Sequence, residues 1–580
     1  MVQITRTSRW FIGIGCLCLC VTFLVLRSSQ LMEISTALRH ESSLSAVAQQ
    51  QVKGAAGHLK SGDRHAVDDG AATTSPLSSS ASPSPRVHSH ASETDPVVAT
   101  TLATAILAIR PPSFSVLPSL VNDTIMQAKS VAAMQWAWKG YRTYAYGFDS
   151  LNVQTMGHAS ARGHDMALTL VDSLDTLYIM GMMDEFNEAV EWAETNMMAK
   201  HQLPGHVSLF ETTIRALGGY LSAYTLSGRS SLLALADDLG TRLSRGLNGS
   251  ALPLALVDLV DGSTYQSSCL AEFTSIQLEF KYLARLTGKE RYFTLVDDIM
   301  DKVANIVETK FPDGLLPSSA DNAGGTLFRG RISIGASADS YYEYLLKQWL
   351  LSGKRDTKYR QRYMSAVDGI RRKLITYTAK SNWTVLGELE MSGRLHPKMD
   401  HLVCFVPGML ALGYINGMPS WHLDLAKELL HTCYQMYNQM ESKLAPEISH
   451  FDIKTKTNAD IYVNPNDAFN ILRPETVESL AILYRVTGNE TYRAWGKVIF
   501  DAFETHCKLD EGGYSSVNHV DSAAPTKGFT SDMESFFTAE TLKYFYLLYS
   551  DQSVVPLDKF IFTTEAHPFL IEMPSSDTKA

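Results

Sequence analysis

Glu475 and Glu478 stand one helical turn apart in Arg473-Pro474-Glu475-Thr476-Val477-Glu478, just before the apolar run Leu480-Ala481-Ile482-Leu483-Tyr484. Proline is tolerated in the first turn of a helix, so Pro474 opens one here and sets both carboxylates on one face at its N-terminus. Taken alone, acids in that place complement the helix dipole. The arrangement recurs, however. Glu211 and Arg215 in Phe210-Glu211-Thr212-Thr213-Ile214-Arg215, Glu272 in Leu270-Ala271-Glu272-Phe273, Asp339 in Ala338-Asp339-Ser340-Tyr341, and Glu534 and Glu540 after Asp532 all lead into strongly apolar helices. Carboxylates delivered at corresponding ends of many helices converge on one cavity, where acidic side chains can move protons. The chain therefore reads as one large helical body with an acidic centre.

The helices that must position these groups carry their own punctuation. Leu226-Ser227-Gly228, Leu286-Thr287-Gly288, Leu351-Ser352-Gly353 and Val486-Thr487-Gly488 each place glycine just past an apolar helix, and a fresh amphipathic run follows, such as Tyr292–Met300. This rhythm predicts helical hairpins with irregular insertions. Strand patterns are scarce, Lys559–Thr564 near the end being the exception.

Residues 10–26 form an uncharged apolar run flanked by Arg6, Arg9 and Arg27, which predicts a transmembrane signal anchor behind a cytoplasmic tail of residues 1–9. Residues 27–118 are rich in Ser, Pro and Ala and predict a disordered stem. The body is expected over 119–574, followed by a short tail, 575–580. Hydrophobic residues make up 45% of the 580, enough for a large core, and a net charge of −10 argues against a nucleic-acid partner. Of seven cysteines, Cys269, Cys404, Cys433 and Cys507 lie in the body, none with the close spacing of a zinc site. Cys404 with Cys433 is a plausible disulfide that spacing alone does not establish. Sequons at Asn122, Asn248, Asn382 and Asn489 suit a secretory-pathway lumen.

Six ordered motifs carry a resemblance: Gly147-Phe148-Asp149-Ser150-Leu151, Val171-Asp172-Ser173-Leu174-Asp175-Thr176-Leu177-Tyr178, Phe210–Arg215, Met399-Asp400-His401-Leu402-Val403-Cys404-Phe405, Arg473–Glu478 and Thr564-Glu565-Ala566-His567-Pro568. Over roughly residues 125–570 the chain resembles the class I α-1,2-mannosidases, glycoside hydrolase family 47. The resemblance implies an all-α fold, an (α/α)₇ barrel of helical hairpins with a small C-terminal β element. It also implies a single-pass type II membrane protein of the Golgi or endoplasmic reticulum with a luminal catalytic domain. The expected activity is Ca²⁺-dependent, inverting removal of terminal α-1,2-linked mannose from high-mannose N-glycans. On that resemblance Glu211 is the general acid, acting through a water, and Glu475 and Asp339 are the other carboxylates at the scissile bond, with Glu475 as base. An inverting pair needs carboxyls about 6.5–9.5 Å apart, so Glu475 and Glu478, one turn apart, are not that pair. Arg215, Glu272, His401, Arg473, Glu478, Phe536, Glu540 and Glu565 form the expected sugar-binding set. Thr564 is the expected direct protein ligand of Ca²⁺. Cys404 and Cys433 fall where members of the family carry a disulfide, and Cys269 and Cys507 are left free or paired with each other.

At Ser337, two residues before Asp339, family members that remove a single mannose carry Arg, whereas Golgi-type members have a smaller residue. Ser337 thus predicts removal of several mannoses. Two other readings are a lectin-like factor of endoplasmic-reticulum-associated degradation, whose relatives typically lack the Cys404–Cys433 pairing, and a different α/α toroid enzyme, which would not end in Thr564–Pro568.

Overall fold

The computed structural model describes residues 120–573, apart from 161–164 and 249. The expected tail, anchor and stem (1–118) and the C-terminal tail (575–580) lie outside the described residues. Among the described residues no helix is long and apolar enough to cross a membrane.

The described chain is all-α in its frame. Leu174–Ile179, Gly218–Ser227, Gln277–Thr287, Asp339–Leu351, Val406–Ile415, Glu475–Thr487 and Leu542–Leu548 pack each against the next, and the last returns to the first, closing a ring. Each is backed by an outer helix: in the same order, Met183–Lys200, Ser230–Leu243, Arg291–Lys310, Thr357–Lys373, Trp421–Asn438, Thr491–His506 and Thr124–Tyr144. The composition of the two layers explains their places. In Val406–Ile415 nine of ten residues are buried, because both its faces meet protein. In Arg291–Lys310 only seven of twenty are buried, along the one stripe an amphipathic helix turns inward. The first described helix closes the barrel against the last, with Asp123 capping it by accepting a hydrogen bond from Met126 N at 3.0 Å.

The helix ends expected from sequence are found. Gly228, Gly288 and Gly488 stand just past helices with φ of 72°, 70° and 69°, the left-handed conformation that glycine adopts without a Cβ penalty. The expectation of few strands is corrected. The described residues contain eight antiparallel sheets of two or three strands, each strand two to four residues long. Such pairs are too short for alternation to register in sequence. They matter because they deliver the chain to the inner helices: His206–Ser208 leads into Glu211, Lys398–Asp400 into His401, Phe469–Asn470 into Glu475 and Asp532–Met533 into Phe536. The expected C-terminal strand is Phe560–Phe562, paired with Pro568–Leu570 in a hairpin whose turn carries Thr564.

Cys404 and Cys433 form a disulfide between the His401–Phe405 turn and the outer helix Trp421–Asn438, whereas Cys269 and Cys507 are free. The bridge closes a loop with a sequence separation of 29. Replacing both cysteines by serine is expected to lower unfolding stability by about 2–4 kcal/mol, measured by denaturant melts, because the unfolded chain regains the loop's freedom. Unchanged stability would show that the bridge constrains nothing the helices do not already hold.

Candidate active site

A cavity of ≈ 690 Å³ opens within the ring, lined by Glu211, Glu272, Asp339, Glu343, Glu475, Glu478, Glu540 and Glu565 against two guanidiniums, those of Arg215 and Arg473. Phe536 and Thr564 line it as well. The three expected catalytic residues therefore share one chamber, as do all the expected sugar-binding residues except His401.

Glu211 ends a one-turn helix capped by Ser208, whose Oγ accepts from Glu211 N at 3.2 Å. The next residues, Thr212–Leu217, form a π-turn, and a second π-turn spans Phe537–Thr541. These wide turns, frequent at functional sites, carry Arg215 and Glu540. Arg215 is no surface ion pair. Its Nε donates to Glu211 Oε2 at 2.8 Å and its Nη1 to Ser535 Oγ at 3.0 Å, and it also contacts Glu565 and Asp172. Arg473 is held bidentately by Glu447: Nε donates to Oε2 at 2.8 Å and Nη2 lies 2.7 Å from Oε1. Both guanidiniums lie 5.8 Å from the Phe536 ring centroid, close enough for cation–π attraction. Glu272 reaches back to accept from Cys269 N at 2.7 Å, so a cavity acid doubles as half of a capping box.

Asp339 and Glu475 share the chamber but are driven apart in acidity. Burial pushes the Asp339 carboxyl up to about 7, helped by the charges of Glu343 and Glu475. Burial would raise Glu475 too, but the His401 contact and then Arg473 outweigh it and hold Glu475 below the usual glutamate range. Two carboxyls separated in this way are suited to different roles near neutral pH. Deeper in, burial lifts Glu478 to about 8 and raises Glu540 well above the ordinary value, each further repelled by neighbouring carboxylates.

His401 corrects an expectation. It does not line the cavity; its side chain is 2% exposed and stands behind Glu475, with Nδ1 2.6 Å from Glu475 Oε2 and Nε2 2.6 Å from the Tyr437 hydroxyl. The short turn His401–Phe405 starts beneath the Glu475 helix and aims the ring at that carboxylate from the rear. Its ring thus contacts Glu475 from behind. Sequence reasoning passed over Glu343, which lines the cavity one turn after Asp339 and pairs with the buried Lys347. The same i, i+4 spacing that flagged Arg215 could have found it. Glu447 had no signal, lying 26 residues from its arginine.

The sequence matches the profile of glycosyl hydrolase family 47 over residues 133–571. The chain belongs to that family and is a glycosidase by class. The human endoplasmic reticulum mannosyl-oligosaccharide 1,2-alpha-mannosidase is 44% identical over 449 residues, covering 76% of this chain and 63% of its own length, so the chain spans under two thirds of that relative. The Schizosaccharomyces pombe protein of the same description is 38% identical over 79% of this chain and 92% of its own. Among solved structures, the alpha-1,2-mannosidase from Trichoderma reesei is similar with a TM-score of 0.70 at 28% identity, covering 78% of this chain and 100% of that one.

Proposed function

We propose that this chain is an inverting exo-α-1,2-mannosidase that trims terminal α-1,2-linked mannose from high-mannose N-glycans. The observation that carries the reading is the convergence of Glu211, Asp339 and Glu475 on one chamber. Glu211 delivers a proton, through a water, to the glycosidic oxygen as the C1–O bond breaks, and Arg215 holds its carboxylate in place. Glu475, kept ionised and oriented by His401, takes a proton from the water that attacks C1 from the opposite face, with Asp339 beside it. Arg473 and the Phe536 ring hold the sugar, and Glu478, Glu540 and Glu565 accept from its hydroxyls.

The chamber also suits Ca²⁺. Eight acidic side chains, several of them held protonated by burial, face two guanidiniums, and Thr564 stands in the wall beside Glu565. No group of three or more acid, cysteine or histidine ligands is gathered among the described residues. On the family resemblance, Thr564 hydroxyl and carbonyl oxygens, with water and sugar oxygens, would hold the ion, and the surrounding acids would balance it. Bound Ca²⁺ supplies positive charge and coordination for the sugar's vicinal hydroxyls. Acids raised as Glu478 is bind protons that a cation must displace, so Ca²⁺ affinity is expected to rise with pH up to about 8. Calorimetric titrations at pH 6 and 8 check this; equal affinities would remove Glu478 from the ion's surroundings.

Ser337 lies exposed at the cavity wall with a left-handed φ of 74° and no bulky side chain, which supports access for more than one glycan branch. A type II signal anchor at 10–26 and a luminal, Golgi or endoplasmic-reticulum location complete the reading. The test is incubation with a nine-mannose N-glycan, with Ca²⁺ or with EDTA, followed by mass spectrometry. Loss of several hexoses, abolished by EDTA, is expected. Loss of one hexose would overturn the multi-branch reading, and none from folded, Ca²⁺-loaded protein would favour the lectin-like alternative.

A further inference from the structure

Beneath the cavity lies a cluster that the proposed chemistry leaves unused. Asp172, Asp175, Lys543 and His567 all have side chains with no exposed surface. His567 sits between the aspartates, with Nδ1 2.7 Å from Asp175 Oδ2 and Nε2 3.2 Å from Asp172 Oδ1. Nε2 and Asp172 Oδ1 are buried and have no hydrogen-bond partner, so what they offer each other is the 3.2 Å ion-pair contact. A ring that meets a carboxylate at both nitrogens needs a proton on both, which only the imidazolium has. The surroundings agree: burial alone would favour the neutral ring, but the two aspartates reverse that and raise the His567 pKa.

The fold has made room for this ring. Gly218 and Gly219 occupy an inner helix, where glycine is an unfavourable choice. A Cβ at Gly218 would come within 2.6 Å of His567 Cδ2, and one at Gly219 within 2.3 Å of the Val171 carbonyl oxygen. The pair lets the helix, the ring and the aspartate segment approach. On its far side Asp172 turns to the catalytic chamber. Its Oδ2 accepts from Ser535 Oγ and, at 3.4 Å, from Arg215 Nη1, the same guanidinium whose Nε grips Glu211 at 2.8 Å.

We propose that His567 is a positioning residue for the acid: held between Asp172 and Asp175, it fixes Asp172, and Asp172 with Ser535 fixes the Arg215 guanidinium that aims Glu211. This rests on the reading of Glu211 as acid. Lys543 supports the other end, with Nζ 2.7 Å from Asp175 Oδ1 and donating to the Ala566 carbonyl at 2.8 Å, which ties the network to the turn that carries His567 itself. The charges alternate along the line Glu211, Arg215, Asp172, His567, Asp175, Lys543, so neutralising the middle releases both neighbours.

A double-mutant cycle on the full chain tests this. His567→Asn, which keeps one amide donor but cannot carry the charge, is expected to lower kcat on a mannose-terminated N-glycan by about 10–100-fold with KM little changed. Arg215→Lys alone is expected to lower kcat, and adding His567→Asn to it to lower it no further, because the two act through one link. Multiplying effects, or an intact kcat in folded His567→Asn, would overturn the proposal. If His567→Asn does not fold, Ser535→Ala decides it. That variant removes only the hydroxyl between Asp172 and Arg215; it is expected to lower kcat in the wild-type chain and by no further factor in the Arg215→Lys background, and would overturn the proposal by adding one there. A wild-type chain inactive on every mannose-terminated glycan would instead bring down the functional reading, and this inference with it.

Discussion

Glu211→Gln lowers kcat on an α-1,2-linked mannose glycan by about 10²–10⁴-fold, the usual share of a positioned acid, and leaves the fold intact. The carboxylate side chain is 44% exposed and makes one ion pair, with Arg215. An amide of the same shape still accepts from the Arg215 Nε, so melting temperature should move by no more than a few degrees. What the amide lacks is a proton to give. α-Mannosyl fluoride separates the two effects, because fluoride leaves without protonation. On that substrate Glu211→Gln should lose far less than on the glycan. An equal loss on both would mean that Glu211 holds the sugar and does not protonate the leaving group.

Glu475→Gln is expected to lose a similar factor, but on glycan and fluoride alike, since the attacking water must surrender a proton whichever group departs. Azide is a nucleophile that needs no base. Added azide should restore turnover of the fluoride in this variant and yield the β-mannosyl azide, the product of inversion. No rescue, or an α-azide, would count against Glu475 as base and turn attention to Asp339. The wild-type pattern supports the assignment: with Asp339 lifted to about 7 and Glu475 held below the ordinary range, Glu475 is the more acidic of the two. His401 accounts for much of that difference, so its replacement is the gentler version of the same experiment.

Much of the site was legible because its residues announce themselves locally. Glu475 and Glu478 lie in one helical turn after a proline, and Glu211 and Arg215 are four apart; both spacings survive as neighbours in the cavity wall. Phe536 and Glu540, both in the expected sugar-binding set and four residues apart, share the wall, although a π-turn carries the second of them. A π-turn leaves no mark in sequence, because the same residues would satisfy an α-turn. His401 was misplaced by a shell: its motif signals proximity to the chemistry, while the direction of the ring depends on how the His401–Phe405 turn packs beneath the Glu475 helix.

The amino-acid sequence by itself determined the helices, their caps and the acids at their mouths, because periodicity, proline and glycine act over three or four residues. Tertiary structure alone decided the closure of the ring, the Glu447 clamp on Arg473 and the buried post at His567. Asp175 and His567 are 392 residues apart, and no local preference reports that their charges meet. Burial then does what composition cannot: by removing water from like-charged carboxyls and setting a cation beside some of them, the closed barrel gives chemically similar side chains different acidities and so different roles.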